Sequence, residues 1–137
     1  MNPSMDPRVL FVCVENAGRS QIARALFETL SDGFGEARSA GTDPAARVHL
    51  HVVDAMAQRG IDIAGEVPKV LTVELAEWAD LVVTMGCGDR CPVTGKTTED
   101  WVLPDPKTMV GEDLSPLIVE IAHRVSDLID RLSVIRA

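Results

Sequence analysis

Tyrosine is absent from this 137-residue chain, and aromatic residues of all kinds make up only 4% of it. A pocket walled by tyrosine rings is therefore excluded. Cysteine is scarce as well, with Cys13, Cys87 and Cys91 the full set. An odd, small number does not make a disulfide framework; it points to thiol chemistry in a reducing compartment, the cytoplasm. No apolar run approaches the roughly 18 residues of a membrane span. Residues 1–7 lack the basic start and long apolar stretch of a signal peptide. Basic residues number 13 against 21 acidic ones, a net charge of −8. That balance argues against nucleic acid and anionic membranes as partners. If the ligand is an anion, a local arrangement must overcome the global charge.

What is present is a core. Hydrophobic residues make up 46%, and the length predicts one domain over residues 1–137, with 1–7 as a flexible tail. Residues 8–14 form a short apolar run rich in β-branched side chains, which reads as a buried strand. Asn16 to Gly18 breaks it. Ile22, Ala23, Leu26, Phe27 and Leu30 then recur at helical spacing up to Asp32-Gly33. Residues 36–40 predict a second strand, and Asp43-Pro44 a helix start with Val52, Val53, Met56 and Ala57 as its stripe. Thr72 caps a short helix to Trp78. Residues 79–85 predict another buried strand, and Trp101 to Leu103 a short edge strand inside a long irregular stretch, 86–112. Ser115-Pro116 opens a last helix with Leu117, Ile118, Ile121, Val125, Leu128, Ile129 and Leu132 facing inward. Alternating strands and helices predict an α/β fold with a parallel sheet. Ligands of such sheets bind beyond the carboxyl ends of the strands. Cys13 and Cys87 both follow predicted strand ends and should share that edge.

The segment Cys13-Val14-Glu15-Asn16-Ala17-Gly18-Arg19-Ser20 sets a cysteine and an arginine six apart, between strand and helix. The intervening residues can curl so that several backbone N–H groups point inward. The helix N-terminus adds partial positive charge, and Arg19 can grip two oxygens of one oxyanion. A cysteine in such a field is a better nucleophile. The expected oxyanion-binding set is thus Val14, Glu15, Asn16, Ala17, Gly18, Arg19 and Ser20, with Cys13 at the base. Asn16 tolerates a left-handed backbone, Gly18 permits close approach, and Ser20 can hydrogen-bond the sulfur. Glu15 should turn outward. The alternative reading is a buried structural cysteine followed by a surface arginine.

Residues 9–21 resemble the active-site signature of the low-molecular-weight phosphotyrosine phosphatase fold, and within it the arsenate reductases. The likeness extends to residues 39–42, 68–72, 80–85, 87–92 and 101–106. It implies a four-stranded parallel sheet flanked by helices. It also implies that Cys13 attacks the oxyanion, that Arg19 holds it, and that Asp105 is the general acid. Taken alone, Asp105-Pro106 reads as an ordinary turn.

Phosphatases of this fold carry tyrosines after that Asp-Pro, whereas this chain has Lys107 and Thr108. A small inorganic oxyanion, arsenate, is the better fit. The thiol-relay reductases it resembles imply that Cys87 and Cys91 carry a disulfide to the surface, where thioredoxin reduces it. A low-molecular-weight thiol such as mycothiol with a glutaredoxin-type partner is the alternative donor, and a phosphatase of small phosphoesters the alternative activity. Structural zinc usually needs four ligands, and His49, His51 and His123 have no spacing that joins them to the two thiols, so no metal and no cofactor is expected. Some relatives hold potassium near the position of Asn16; Arg24 on the following helix makes a cation there unfavourable. His49 and His51 read as surface or capping residues, His123 as solvated, and Trp78 and Trp101 as packing residues.

Overall fold

The computed structural model describes residues 6–86, 97–109 and 111–136. Cys87, Cys91 and the first five residues of the expected tail lie outside this set. The strands are β1 (Arg8–Cys13), β2 (Glu36–Gly41), β3 (Leu81–Thr84) and β4 (Thr97–Asp100). The helices are α1 (Arg19–Ser31), α2 (Leu50–Gln58), α3 (Val73–Trp78) and α4 (Gly111–Arg136), with a 3-10 turn at Pro106–Thr108.

All strand pairs are parallel, in the order β2-β1-β3-β4. The fold is therefore the α/β class expected, a four-stranded parallel sheet flanked by helices. The chain leaves β1 toward β2 on one side and returns to β3 on the other. This reversal of strand order puts the end of β1 at a topological switch point, the usual ligand crevice of open α/β sheets.

Alternation along β1 builds two cores. Val9, Phe11 and Cys13 face the larger one, together with Ile22 and Phe27 of α1, Val52 and Met56 of α2, and Ile118 and Ile121 of α4. Leu10 and Val12 face the smaller one, with Ala40 and Val82, covered by Leu75 and Trp78. Both faces of β1 are buried, which is why its sequence is apolar throughout. The expected α4 stripe is buried or packed against the larger core throughout, and His123 is exposed.

Five expectations need correction. Leu30, at the end of the α1 stripe, is 45% exposed, and Ala57, in the α2 stripe, is exposed as well. Helix α2 begins at Leu50, not at Asp43-Pro44. Its intended first turn instead straps the loop after β1, with the amides of Asp43 and Ala45 donating to the carbonyls of Val14 and Glu15. The edge strand is Thr97–Asp100, not Trp101 to Leu103. Trp101 is buried against Phe11, 5.8 Å between rings, so its apolar character reflects core packing after the strand has ended. Helix α4 starts four residues before Ser115, with Glu112 and Asp113 in its first turn, where acidic groups suit the helix dipole. Pro116 lies inside it.

Candidate functional site

Loop 14–18 curls between β1 and α1, and its carbonyls are all drawn to donors outside the curl. Thr42, Asp43, Ala45 and His49 donate their amides to Cys13, Val14, Glu15 and Ala17, at 2.8–3.1 Å. Gln21 Nε2 reaches the Asn16 carbonyl at 3.1 Å, and the Ile22 amide takes that of Gly18 at 3.0 Å. With the carbonyls held outward, the opposite faces of these peptides turn their N–H groups toward the centre. The turn needs a left-handed residue, and Asn16 supplies it with φ 52°.

Cys13 sits at the base, 2% exposed. The Asn16 amide donates to its sulfur at 3.3 Å, and Ser20 Oγ lies 2.8 Å from it. Asn16 Nδ2 donates to the same Ser20 oxygen at 2.7 Å. That leaves the hydroxyl proton free to point at sulfur. Asn16 Oδ1 accepts from the Lys69 amide at 2.9 Å and from Gln21 Nε2 at 3.2 Å. Asn16, Ser20 and Gln21 are fully buried. Gln21 was not singled out by the sequence, because its role is visible only once its carboxamide is seen to cross the loop.

Arg19 is buried under two neighbours. Its Nη1 donates to the Leu103 carbonyl at 3.2 Å, and its Nη2 lies 3.8 Å from Asp105 Oδ2. Gly86, just past β3 with φ +79°, backs onto the guanidinium so closely that a Cβ there would overlap it. The chain therefore leaves β3 across Arg19, and Met85 is hydrogen-bonded to Val12 at 2.7 Å. Cys87, expected to share the sheet edge with Cys13, lies outside the described residues.

Asp105 is both a turn residue and a site residue. Its Oδ1 accepts from the Lys107 amide at 2.9 Å and so caps the 3-10 turn, while Oδ2 faces Arg19. Pro106 lies over the anion loop. A Cβ on Gly18 would come within 2.6 Å of its ring, so this contact needs glycine at the position. Glu15 turns outward as expected and meets Lys107 Nζ at 2.9 Å. That hydrogen bond raises the Lys107 pKa above its ordinary value.

His49 is at the N-cap position of α2, but its side chain makes no capping bond. Its ring instead joins Cys13, Glu15, Gly18, Arg19 and Asp105 around a cavity of about 10 Å³. Burial lowers its pKa, aided by His51 and Lys107 and opposed by Glu15 and Asp105. His51 lies alongside, ring centroids 5.5 Å apart, and its Nε2 meets the Pro106 carbonyl at 2.7 Å. The sequence marks both histidines as surface or capping residues, because neither spacing nor composition shows that α2 opens against the Asp105 turn. A larger cavity of about 320 Å³ is lined by Arg24, Glu28, Arg38, Ser39, Glu66 and Lys69. It has no thiol among its lining residues, and Arg24 there is already paired with Glu28 and Glu66. The narrow cup over Cys13 is the better chemical site despite its size.

Among the described residues no group of three or more His, Cys, Asp and Glu side chains could hold a metal ion, and no helix is long and apolar enough to cross a membrane.

The family model for low molecular weight phosphotyrosine protein phosphatase matches residues 8–135. A glutaredoxin arsenate reductase from Synechocystis is 34% identical over 92% of this chain and 98% of its own. An arsenate reductase from Halalkalibacterium halodurans is 36% identical over 77% of this chain and 78% of its own. Among solved structures, a thioredoxin-dependent arsenate reductase from Corynebacterium glutamicum superposes with a TM-score of 0.79 and 40% identity. That likeness covers 94% of this chain, which spans 62% of the other.

Proposed function

The chain belongs to the low molecular weight phosphotyrosine protein phosphatase family, and from its likeness to arsenate reductases we propose that it reduces arsenate to arsenite with Cys13 as nucleophile. Arg19, the helix N-terminus and the inward amides of residues 14–20 bind the oxyanion. Cys13 attacks arsenic, and the departing oxygen takes a proton from Asp105 and leaves as water. The adduct, a Cys13 sulfur–arsenic bond, still holds arsenic(V). Cys87 then attacks the Cys13 sulfur. The electron pair of the sulfur–arsenic bond goes to arsenic, arsenite leaves, and a Cys13–Cys87 disulfide forms. Cys91 attacks Cys87, which frees Cys13 and moves the disulfide to Cys87–Cys91. Two thiols thus supply the two electrons. A dithiol protein, thioredoxin, restores them by thiol–disulfide exchange.

The observation that carries this reading is the narrow cup itself, with Cys13 at its base, Ser20 Oγ 2.8 Å from the sulfur, and Arg19 and Asp105 among its lining residues. The narrow cavity and the Lys107-Thr108 pair after Pro106 favour a small oxyanion over an aromatic phosphoester. A cytoplasmic setting suits free thiols.

The test is NADPH consumption with arsenate, thioredoxin and thioredoxin reductase. Wild type is expected to consume NADPH only when arsenate is present, and Cys13→Ser and Cys91→Ser to consume none. Consumption that survives Cys13→Ser would overturn the mechanism. Activity that needs a low-molecular-weight thiol and a glutaredoxin-type protein, and is indifferent to Cys91, would replace the relay. Turnover of a small phosphoester without arsenate reduction would replace the reaction.

A further inference from the structure

The turn carrying Asp105 rests on the anion loop through a few contacts, and they are not equivalent. Arg19 holds the Leu103 carbonyl and faces the Asp105 carboxylate. Its N–H groups are also the ones an oxyanion would recruit, so this tie competes with substrate. Lys107 pairs with Glu15, but the lysine is 59% exposed, and exposed ion pairs contribute little. Besides the Pro106 ring packed over Gly18, a further tie is His51 Nε2 to the Pro106 carbonyl, 2.7 Å long and half-buried, on an oxygen that also accepts from the Met109 amide at 3.0 Å. It shares no atom with the oxyanion cup.

We propose that His51 is a positioning residue: its ring, braced by His49, holds the Pro106 carbonyl and so fixes Asp105 over the bound oxyanion. The inference rests on Asp105 acting as the proton donor. A ring nitrogen facing a carbonyl must carry hydrogen, so Nε2–H is the donor. Pro106 suits this purpose because its ring fixes φ. The peptide it anchors therefore has little freedom relative to Asp105 one residue before it. His49 stacks on His51 at an interplanar angle of 21°, and its Cδ2 lies 3.6 Å from where a Gly18 Cβ would be. The His49 ring thus fills the space between His51 and the anion loop. Burial lowers the His49 pKa, which favours an uncharged ring against His51. Asp105 Oδ1 is occupied by the Lys107 amide. Only Oδ2 is then directed into the cup, and its position is set by the turn as a whole.

The test is single-turnover arsenite release, which needs no reducing partner, on His51→Leu, His51→Gln and Asp105→Asn, and on the His51→Leu/Asp105→Asn pair. His51→Leu keeps bulk and loses the N–H. It should lower the rate constant at saturating arsenate roughly ten- to hundredfold while the half-saturating concentration stays within about twofold. His51→Gln, whose amide reaches about as far as Nε2, should recover most of the rate. In the Asp105→Asn background His51→Leu should cost nothing further. If the leucine variant does not fold, His51→Asn, too short to reach, takes its place. An unchanged rate, or an equal loss with and without Asp105, would overturn the role of His51. A wild type that releases no arsenite would overturn the reaction instead. The same cycle run on a small phosphoester, whose leaving oxygen needs the same proton, would still decide the role of His51.

Discussion

The hydroxyl of Ser20 lies 2.8 Å from the sulfur of Cys13, and its oxygen already accepts from Asn16 Nδ2. The chain of donors therefore runs from Asn16 through Ser20 to sulfur. It is oriented to stabilise a thiolate at Cys13, the attacking group of the proposed reaction.

Ser20→Ala should therefore slow the chemistry without unfolding the protein. Hydrogen bonds to charged groups are worth about 1.5–3 kcal/mol, so Cys13 alkylation by iodoacetamide at pH 7 should slow by roughly tenfold or more. An alkylation rate within twofold of wild type would show that the amide of Asn16 and the helix N-terminus suffice.

Gly86→Ala places a methyl group into the Arg19 guanidinium and puts a side chain on a residue with φ +79°. Strain of that kind costs on the order of 1 kcal/mol of stability. The larger effect should be on the oxyanion: the inhibition constant for phosphate should rise at least roughly tenfold, because the methyl group displaces Arg19, the oxyanion holder of the proposed function. Unchanged phosphate inhibition would mean that Arg19 relocates freely.

Phe11 is fully buried two residues before Cys13, between Phe27 and Trp101 at ring distances of 6.2 and 5.8 Å. Phe11→Ala should cost about 3–5 kcal/mol in urea unfolding. Since Trp101 leads into the Asp105 turn, the variant should also lose activity before it loses its fold. A cost under about 1 kcal/mol would show that the two aromatic neighbours close the gap.

Glu99 joins β4 to α4. Arg131 holds both of its carboxylate oxygens, at 2.7 and 3.1 Å, and Trp101 Nε1 donates to one of them at 3.1 Å. The Arg131 hydrogen bonds hold the Glu99 carboxyl below its ordinary pKa, against the effect of burial, with Trp101 adding to the lowering. A depressed carboxylate stabilises the fold above its unfolded-state value and loses that contribution as pH falls through the folded-state value. Thermal stability should then drop on acidification below about pH 4.5, with a smaller drop in Glu99→Gln. Parallel curves for the two proteins would remove Glu99 from the acid transition.

The anion loop was legible in the sequence because its signal is local. An apolar strand, a cysteine, Asn16, Gly18, Arg19, Ser20 and an amphipathic helix occupy one continuous stretch, and the fold adds only their closure. Glu15 was also predictable, since inward amides leave its side chain outside. What the sequence could not show is contact across distance. His51 meets Pro106 55 residues away, and Arg19 meets Leu103 84 residues away. Helix α2 was misplaced because Asp43-Pro44 has the chemistry of a helix start, yet the amides of Asp43 and Ala45 serve the anion loop instead. The edge strand was misplaced because Thr97–Asp100 is polar, as edges often are. Its strand character comes from pairing with β3, not from an apolar pattern. The apolar Trp101 and Leu103 belong to the core beyond it.

The most direct measurement is one turnover of the fully reduced protein with excess arsenate and no reducing partner, followed by arsenite quantification and disulfide mapping by mass spectrometry. The account predicts one arsenite per chain, a Cys87–Cys91 disulfide in wild type, and a trapped Cys13–Cys87 disulfide in Cys91→Ser. Arsenite formed with all three thiols still free, or no arsenite at all, would contradict it.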